Sequence, residues 1–214
     1  MIRVLYSDDR VIACEKPQGV LSTDEPGGMP ELLREYLGDA GAVVKSVHRL
    51  DRVTGGVMVY ARTKRAAADL SEQIAQGRFR KSYLAVVRGV PERAEGEFSD
   101  FLHRDAETRR SFVVSEGTPL SQRAELSYRV LKQRDGYSLV RVRLHTGRTH
   151  QIRCQFAVRG LPLVGDAKYG DPSAADVPLA LWSHEIVFFH PRDGREMRFA
   201  SEPPSDGAWT LFTT

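Results

Sequence analysis

The sequence predicts an α+β fold in which a largely antiparallel mixed β-sheet has helices beside it. Segments with strand character outnumber those with helical periodicity, and the helical segments are few. Several consecutive strands are separated only by tight turns, of which the clearest are Asp135-Gly136 and Asp193-Gly194. No repeat, low-complexity segment or linker interrupts the 214 residues. We therefore expect a single domain over residues 1–214.

The first part of the chain is predicted to contain three strands and two helices. Two short strands flank the turn at residues 7–9 in "IRVLYSDDRVIACEKP", and the segment "VMVYAR" predicts a third. A helix is expected in "PELLREYLG", because a proline suits its first position and Gly38 lies beyond its end. The clearest helix is "TKRAAADLSEQIAQG", which Thr63 can cap and Gly77 can end.

The rest of the chain is predicted to be mainly β-structure. "FRKSYLAVVRG" predicts a buried strand, and residues 97–115 predict a hairpin with an irregular tip. "AELSYRVLKQRDGYSLVRVRLHTG" predicts a second hairpin, because residues alternate with a period of two after its Asp-Gly turn. A short helix is expected in "RTHQIRCQFAVRG", beginning near Thr149 and ending at Gly160. "LWSHEIVFFHP" and "EMRFA" predict the last two strands.

The composition is that of an ordinary globular protein, with 41% apolar and 28% charged residues. No apolar run approaches the length of a membrane span, and the N-terminal segment lacks the apolar core of a signal peptide. The two cysteines, Cys14 and Cys154, are too few for a disulfide framework and lack zinc-ligand spacing. We therefore predict a cytoplasmic protein with two reduced thiols.

The net charge is only +3, but the basic residues are concentrated. Of the 31 lysines and arginines, 25 are arginine. Residues 45–88 hold ten basic residues against three acidic ones, and residues 121–168 also hold ten against three. Arginine presents a fixed fork of donors that suits phosphate, and it stacks on bases. The two blocks together indicate a polyanionic partner, although a solvated charged surface is the simpler explanation of any single block.

The segment "SVHRLDRVTGG" places an acid, Asp51, between two arginines where a turn between strands is expected. Nearby positive charge keeps a carboxylate ionised, so Asp51 could act as a nucleophile, a base or a metal ligand. A surface ion pair is the alternative explanation. The pair Gly55-Gly56 favours a functional role, because glycines let another backbone or a ligand approach closely.

A metal site around Asp51 is conceivable from residue types alone. Its other ligands would be His48, His145 and His150, but arginines lie near all of them in the sequence and would repel a cation. The likeness of "HRLD" to a kinase catalytic loop is superficial, since no magnesium-binding Asn follows and no Asp-Phe-Gly is present. We therefore expect no metal.

Two further segments carry residues able to do chemistry. In "LHTGRTHQIR", Arg148 and Arg153 are five residues apart after a glycine that permits a sharp turn. In "RKSYLAVVRG", Lys81 and Tyr83 are two residues apart and share one face of a strand. Each segment also has a structural explanation, because turn arginines satisfy carbonyl groups and a strand tyrosine usually belongs to the core.

Five segments that occur in a fixed order carry a family resemblance. "VIACEKPQGVLS", "HRLDRVTGG", "KSYLAVVRG", "GRTHQIR" and "GLPLVGDAKYG" together resemble the RluA-type pseudouridine synthases, over residues 4 to about 170. The resemblance is to a small, single-domain member without an N-terminal S4-like RNA-binding domain. It implies the pseudouridine synthase catalytic fold and an isomerase that converts specific uridines of rRNA or tRNA to pseudouridine. It further implies RNA as the partner and no cofactor. A monomer is the default expectation for a single domain with no evident apolar patch.

Carried over position by position, the resemblance also implies roles for individual residues. The catalytic residues would be Asp51, Tyr83 and Arg153, with Asp51 attacking or deprotonating the substrate, Tyr83 stacking on the flipped uracil and Arg153 pairing with Asp51. Residues that bind RNA or help the base leave the stack would be Arg49, Arg148, Lys81 and Ile152.

The sequence departs from the family pattern at one visible position. The family usually has Thr-Ser-Gly where this chain has Thr54-Gly55-Gly56. Losing a serine hydroxyl there is expected to alter a local hydrogen bond and loosen the turn without removing a catalytic group. The competing functions are an RNA-binding module that has kept the fold and lost the activity, and a metal-dependent nuclease.

Overall fold

A computed structural model describes residues 2–212 of the chain, which form two compact units. The first unit comprises residues 2–81 and 182–203, and the second comprises residues 82–181 and 204–212. Both are built on mainly antiparallel strands with few helices. The predicted α+β class is thereby confirmed, whereas the single domain over residues 1–214 stays a prediction.

The first unit contains six strands and the two longer helices. Its elements are β1 (Arg3–Ser7), β2 (Val11–Lys16), α1 (Met29–Leu37), β3 (Lys45–Ser46), β4 (Gly55–Ala61), α2 (Lys64–Ala75), β10 (Leu181–Phe189, whose first residue belongs to the second unit) and β11 (Glu196–Ala200). The strand order is β1-β2-β4-β10, with β3 on β4 and β11 on β10. Only the pairing of β4 with β10 is parallel among these ladders.

The core of the first unit lies between β4 and α2. All seven residues of β4 are buried, which explains why this strand shows only weak alternation in the sequence. Ala66 and Leu70 of α2 pack on Val57 and Val59 of β4. The predicted cap of α2 is confirmed, because the Thr63 hydroxyl accepts the backbone N–H of Ala66 at 3.0 Å.

The second unit contains five strands and the shortest α-helix. Its elements are β5 (Arg80–Arg88, whose first two residues belong to the first unit), β6 (Glu95–Asp105), β7 (Arg110–Val114), β8 (Gln122–Arg134), β9 (Tyr137–Leu144) and α3 (Gln151–Ala157). The strand order is β5-β9-β8-β6-β7. Both predicted hairpins are confirmed, and Asp135 and Gly136 adopt the positive φ angles that a tight turn requires.

Helix α3 packs on the sheet of the second unit through aromatic side chains. Phe156 contacts Phe98 and Tyr128, with ring centroids 5.0 and 5.7 Å apart. The predicted start near Thr149 is wrong by two residues, because His150 adopts a left-handed φ of 53° and the helix begins at Gln151. Two short 3₁₀ helices, Pro172–Asp176 and Gly207–Leu211, complete the elements of residues 2–212.

No helix among residues 2–212 is both long enough and apolar enough to cross a membrane. This finding agrees with the expectation drawn from the sequence that no apolar run reaches that length.

Candidate active site

Asp51 lies in the first unit, in the turn between β3 and β4 that the sequence predicts. The side chain is partly buried, and the Asp51 carbonyl accepts the N–H of Thr54 at 3.0 Å. The preceding residue, Leu50, is fixed by the Ser22 hydroxyl, which donates to its carbonyl at 2.9 Å and accepts its N–H at 3.3 Å. Tyr60 in turn donates to the Ser22 carbonyl at 2.9 Å. Ser22 and Tyr60 therefore fix the backbone immediately before Asp51.

A fully buried lysine ties a second loop to this turn. The Lys16 ammonium donates to the carbonyls of Pro17 at 2.9 Å, Val20 at 2.7 Å and Arg52 at 3.3 Å. Burial lowers the pKa of Lys16 to about 8, although the nearby Asp51 carboxylate works against that change. Lys16 therefore crosslinks the end of β2 to the residue that follows Asp51. The sequence alone does not predict this role, because lysines are almost always exposed.

The two arginines that flank Asp51 have different settings. Arg52 is exposed, and its Nε donates to the Gly19 carbonyl at 2.8 Å, so it supports the same loop as Lys16. Arg49 is also exposed, and its guanidinium makes no hydrogen bond or ion pair with residues 2–212. The setting of Arg49 is compatible with a partner outside the chain, which suits the role implied by the resemblance.

His48 is a structural residue of the β4 region. Its Nε2 accepts the backbone N–H of Val59 at 3.1 Å, and its ring contacts Phe79 at a centroid distance of 5.3 Å. Burial, aided by the charge of Lys81, lowers the pKa of His48 to about 3, so its imidazole is neutral. Burial also lowers the pKa of Lys81. Across residues 2–212, no three His, Cys, Asp or Glu side chains are grouped so that they could hold a metal ion.

The indole of Trp182 occupies the space beside Gly55. A Cβ at Gly55 would lie 2.3 Å from Cζ3 of Trp182, well inside contact distance. Trp182 is buried, and its Nε1 donates to the carbonyl and hydroxyl of Ser201 at 3.1 and 3.0 Å. Where the family usually has serine, this chain therefore has glycine beside Trp182, whose indole leaves no room for a serine side chain. This contact makes the turn more constrained than the sequence alone suggested.

The Gly55→Ser variant is expected to destabilise the first unit by about 1–3 kcal/mol, because the new side chain overpacks against Trp182. Urea unfolding of the Gly55→Ser, Trp182→Leu and double variants measures this cost. We expect the double variant to lose less than the sum of the two single losses, because leucine makes room for the serine. Additive losses would contradict the proposed contact.

In the second unit, the predicted site residues lie on β5, on α3 and in the turn before α3. Tyr83 of β5 and Ile152 of α3 are buried, with 5% and 4% of their surface exposed. Arg148 is bound to the neighbouring strand, since its Nε donates to the Arg123 carbonyl at 2.9 Å. Its backbone N–H donates to the Gln151 side chain at 3.0 Å. These bonds hold Arg148 against β8 and the start of α3, and its role toward RNA stays a prediction.

Arg153 makes a buried ion pair that the sequence did not reveal. Its Nε and Nη2 donate to Oδ2 and Oδ1 of Asp166, both at 2.7 Å, and both side chains are buried. The guanidinium also lies over the ring of Tyr169, 5.2 Å from its centroid. Asp166 and Tyr169 belong to "GLPLVGDAKYG", which contributed to the family resemblance without any role for its acid. The ion pair between Arg153 and Asp51 that the resemblance implies stays a prediction.

Comparison with known proteins identifies the class. The family model described as RNA pseudouridylate synthase matches residues 10–158. An uncharacterized RNA pseudouridine synthase of Aquifex aeolicus is 34% identical, covering 95% of this chain and 70% of that protein. The dual-specificity RNA pseudouridine synthase RluA of Vibrio cholerae is 36% identical, covering 89% of this chain and 78% of that protein. The ribosomal large subunit pseudouridine synthase D of Nitrosomonas europaea is 32% identical, covering 98% and 64% respectively.

Solved structures agree on the fold. Human RNA pseudouridylate synthase domain containing 1 matches with a TM-score of 0.81 over 99% of this chain and 86% of that chain. The structure of human RNA pseudouridylate synthase domain containing 4 matches with a TM-score of 0.79. Each of the two human proteins is 22% identical in sequence to this chain. Fold and relatives thus define an isomerase class that acts on RNA. Within that class, the chain belongs to the RNA pseudouridine synthase family and is of the RluA type.

Proposed function

We propose that this protein isomerises specific uridines of ribosomal or transfer RNA to pseudouridine, with Asp51 as the catalytic carboxylate. The observation that carries the proposal is the mounting of Asp51. Ser22 and Lys16 fix the backbone on either side of Asp51 through Leu50 and Arg52, and the buried Lys16 interacts electrostatically with the Asp51 carboxylate. The relative named for the large ribosomal subunit supports ribosomal RNA as substrate, and the relative named as dual-specific supports more than one RNA target.

The proposed reaction exchanges one bond for another within a single nucleotide. The N1–C1′ glycosidic bond breaks, the uracil turns, a C5–C1′ bond forms and the C5 proton is lost while N1 gains one. No electrons are exchanged with another molecule. Asp51 either adds to the nucleotide or removes a proton from the ribose, and both routes require an ionised carboxylate. A site closed to bulk water needs a fixed counter-charge for that carboxylate, the role we assign to Arg153.

The remaining residues are proposed to handle the flipped nucleotide. Unstacking a base costs a few kcal/mol, and Arg49 offsets part of this by entering the gap in the RNA. Tyr83 stacks on the detached uracil, an interaction of about 1–3 kcal/mol, and assists the loss of the C5 proton. Ile152 packs beneath the base. Arg148 and Lys81 contact phosphate or support the site.

We also propose that the protein works in the cytoplasm as a monomer, without metal or cofactor. The basic residues concentrated in residues 45–88 and 121–168, together with a net charge of +3, support electrostatic attraction of the protein to RNA. Size-exclusion chromatography with light scattering tests the monomer.

The direct test of the function uses RNA labelled with tritium at C5 of uridine, prepared from a strain that lacks the protein. Forming the C5–C1′ bond releases tritium to water, so the purified protein should release it in the presence of EDTA. Site mapping of pseudouridine in the same RNA then identifies the target. RNA binding without tritium release would favour the inactive binding module, and RNA cleavage that EDTA abolishes would favour a nuclease.

Tyr83→Phe is expected to bind this RNA normally but to convert it about 10²-fold more slowly, because the ring is kept and the hydroxyl that assists proton removal is lost. Single-turnover tritium release and filter binding separate the two effects. Tyr137→Phe, at the start of β9, is the matched control and should behave as the native protein. An unchanged rate for Tyr83→Phe would leave the tyrosine a stacking role only.

A further inference from the structure

The Arg153–Asp166 pair uses only one edge of the guanidinium. The carboxylate accepts Nε and Nη2 in a two-bond fork, and these are the strongest kind of carboxylate hydrogen bond. The third nitrogen, Nη1, is the one that this fork leaves for other acceptors. Since an arginine fork is planar and rigid, the position of Asp166 determines where Nη1 points.

Asp166 is engaged by the protein on both carboxylate oxygens. Besides the two bonds from Arg153, its Oδ1 accepts the backbone N–H of Lys168 at 3.0 Å and of Tyr169 at 3.1 Å. Three of these bonds go to Oδ1 and one, from Nε of Arg153, goes to Oδ2. The side chain is also fully buried. Asp166 therefore acts on any reaction only through Arg153.

The loop that carries Asp166 is itself fixed to the sheet of the second unit. The N–H of Val164 donates to the Val86 carbonyl of β5 at 2.9 Å, and the Val164 carbonyl accepts the N–H of Ala180 at 2.9 Å. Gly165 follows with a φ of +76°, and any side chain on it would collide with the Pro178 carbonyl. The carboxylate is thus held by a backbone with little freedom to shift.

Tyr169 restrains the same guanidinium from a second direction. Its ring lies 5.2 Å from the Arg153 guanidinium, while its hydroxyl accepts the Ser111 N–H at 2.6 Å and bonds His150 Nδ1 at 2.8 Å. Asp166 restrains the guanidinium through the two-bond fork, and the tyrosine ring contacts it separately. Two independent restraints on one side chain indicate a requirement for exact placement.

We propose that Asp166 and Tyr169 are positioning residues that hold Arg153 in the orientation required for pseudouridine formation. The inference rests on the proposed function, in which Arg153 is the counter-charge of the catalytic carboxylate. Asn at position 166 keeps the shape but replaces one acceptor with an NH₂ group that faces an arginine donor. The guanidinium must then move, and a displacement of this kind costs about 10²-fold in rate.

The test is the tritium-release assay with Asp166→Asn, at saturating and subsaturating concentrations of the labelled RNA. We expect kcat to fall about 10²-fold while RNA affinity by filter binding stays unchanged. Asp171→Asn is the matched control, because this exposed acid of the same segment makes no bond to Arg153. It should show native kcat. Native kcat for Asp166→Asn would overturn the inference.

A double-mutant cycle distinguishes positioning from general structural damage. If Asp166 acts through Arg153, adding Asp166→Asn to an Arg153→Met variant should cause no further loss of kcat. Multiplying losses would overturn the inference. Should Asp166→Asn fail to fold by circular dichroism, Tyr169→Leu replaces it, with an expected loss of about tenfold from the missing ring contact. Unchanged kcat there would overturn the inference equally.

Failure of the proposed function gives a different result. If the native protein releases no tritium from any of the labelled RNA, the function itself is wrong. If the native protein is active and Asp166→Asn is equally active, only the positioning role is wrong.

Discussion

Asp51→Asn is expected to form no detectable pseudouridine, a loss of at least about 10³-fold, while it binds RNA as the native protein does. The amide has the size of the carboxylate but neither its charge nor its basicity. Ser22 and Lys16 bind backbone atoms of Leu50 and Arg52 on either side of Asp51, and the substitution removes none of these bonds. The variant should therefore keep its fold and lose the chemistry.

Single-turnover tritium release and pseudouridine mapping measure the loss for Asp51→Asn, and filter binding measures affinity. Asp135→Asn is the matched control, because asparagine tolerates the left-handed conformation of that turn residue. It should convert RNA at the native rate. Full conversion of the RNA by Asp51→Asn would show that Asp51 is not the catalytic residue.

The same variant has a consequence for Lys16 that needs no RNA. The Asp51 carboxylate favours the charged form of Lys16, whereas burial favours the neutral form. Removing the carboxylate should therefore lower the pKa of Lys16 further below about 8. An NMR titration of the Lys16 side chain in the native protein and in Asp51→Asn would measure this fall in pKa. An unchanged pKa would mean that the Asp51 carboxylate does not act on Lys16.

Local signals were enough to predict most elements of the fold. The turn Asp135-Gly136, the cap Thr63 and the terminating Gly38 each act on a few neighbouring residues, so their meaning is visible in sequence. The start of α3 was misplaced because His150 is held in a left-handed conformation where its Nδ1 bonds the hydroxyl of Tyr169, nineteen residues later. A contact between residues so far apart in the sequence does not change the local hydrophobic pattern from which helix ends are predicted.

The candidate site shows the same division between local and distant information. Asp51 was predicted from its flanking arginines and the glycine pair, yet Arg52 binds the Gly19 carbonyl. The cation whose pKa responds to Asp51 is Lys16, thirty-five positions earlier and buried against the usual tendency of lysine. Burial of a charged side chain depends on three carbonyls brought together by folding. Composition and spacing do not contain that information.

Gly56→Ala is expected to cost the first unit about 3 kcal/mol or more of its free energy of unfolding. Gly56 has a φ of +113°, and a Cβ there would lie 2.2 Å from the carbonyl oxygen and 2.7 Å from the nitrogen of Ser183. Both are backbone atoms of the parallel β4–β10 pair, in which Ser183 is the direct partner of Gly56. Neither strand can move away without breaking that pairing.

Gly77→Ala separates the contact from the conformational strain. Gly77 also has a positive φ, +69°, but a Cβ there would meet no atom within 4 Å. It should therefore lose only the strain of the left-handed backbone, about 1–2 kcal/mol. Urea unfolding gives the free energy of unfolding of each variant. The difference between their losses is the cost of the contact between position 56 and Ser183 of β10. Equal losses of stability in Gly56→Ala and Gly77→Ala would mean that the close approach of β10 adds nothing to the cost of a side chain at position 56. A larger loss at Gly56 would show that contact with the Ser183 backbone, and not the positive φ alone, opposes a side chain at this position.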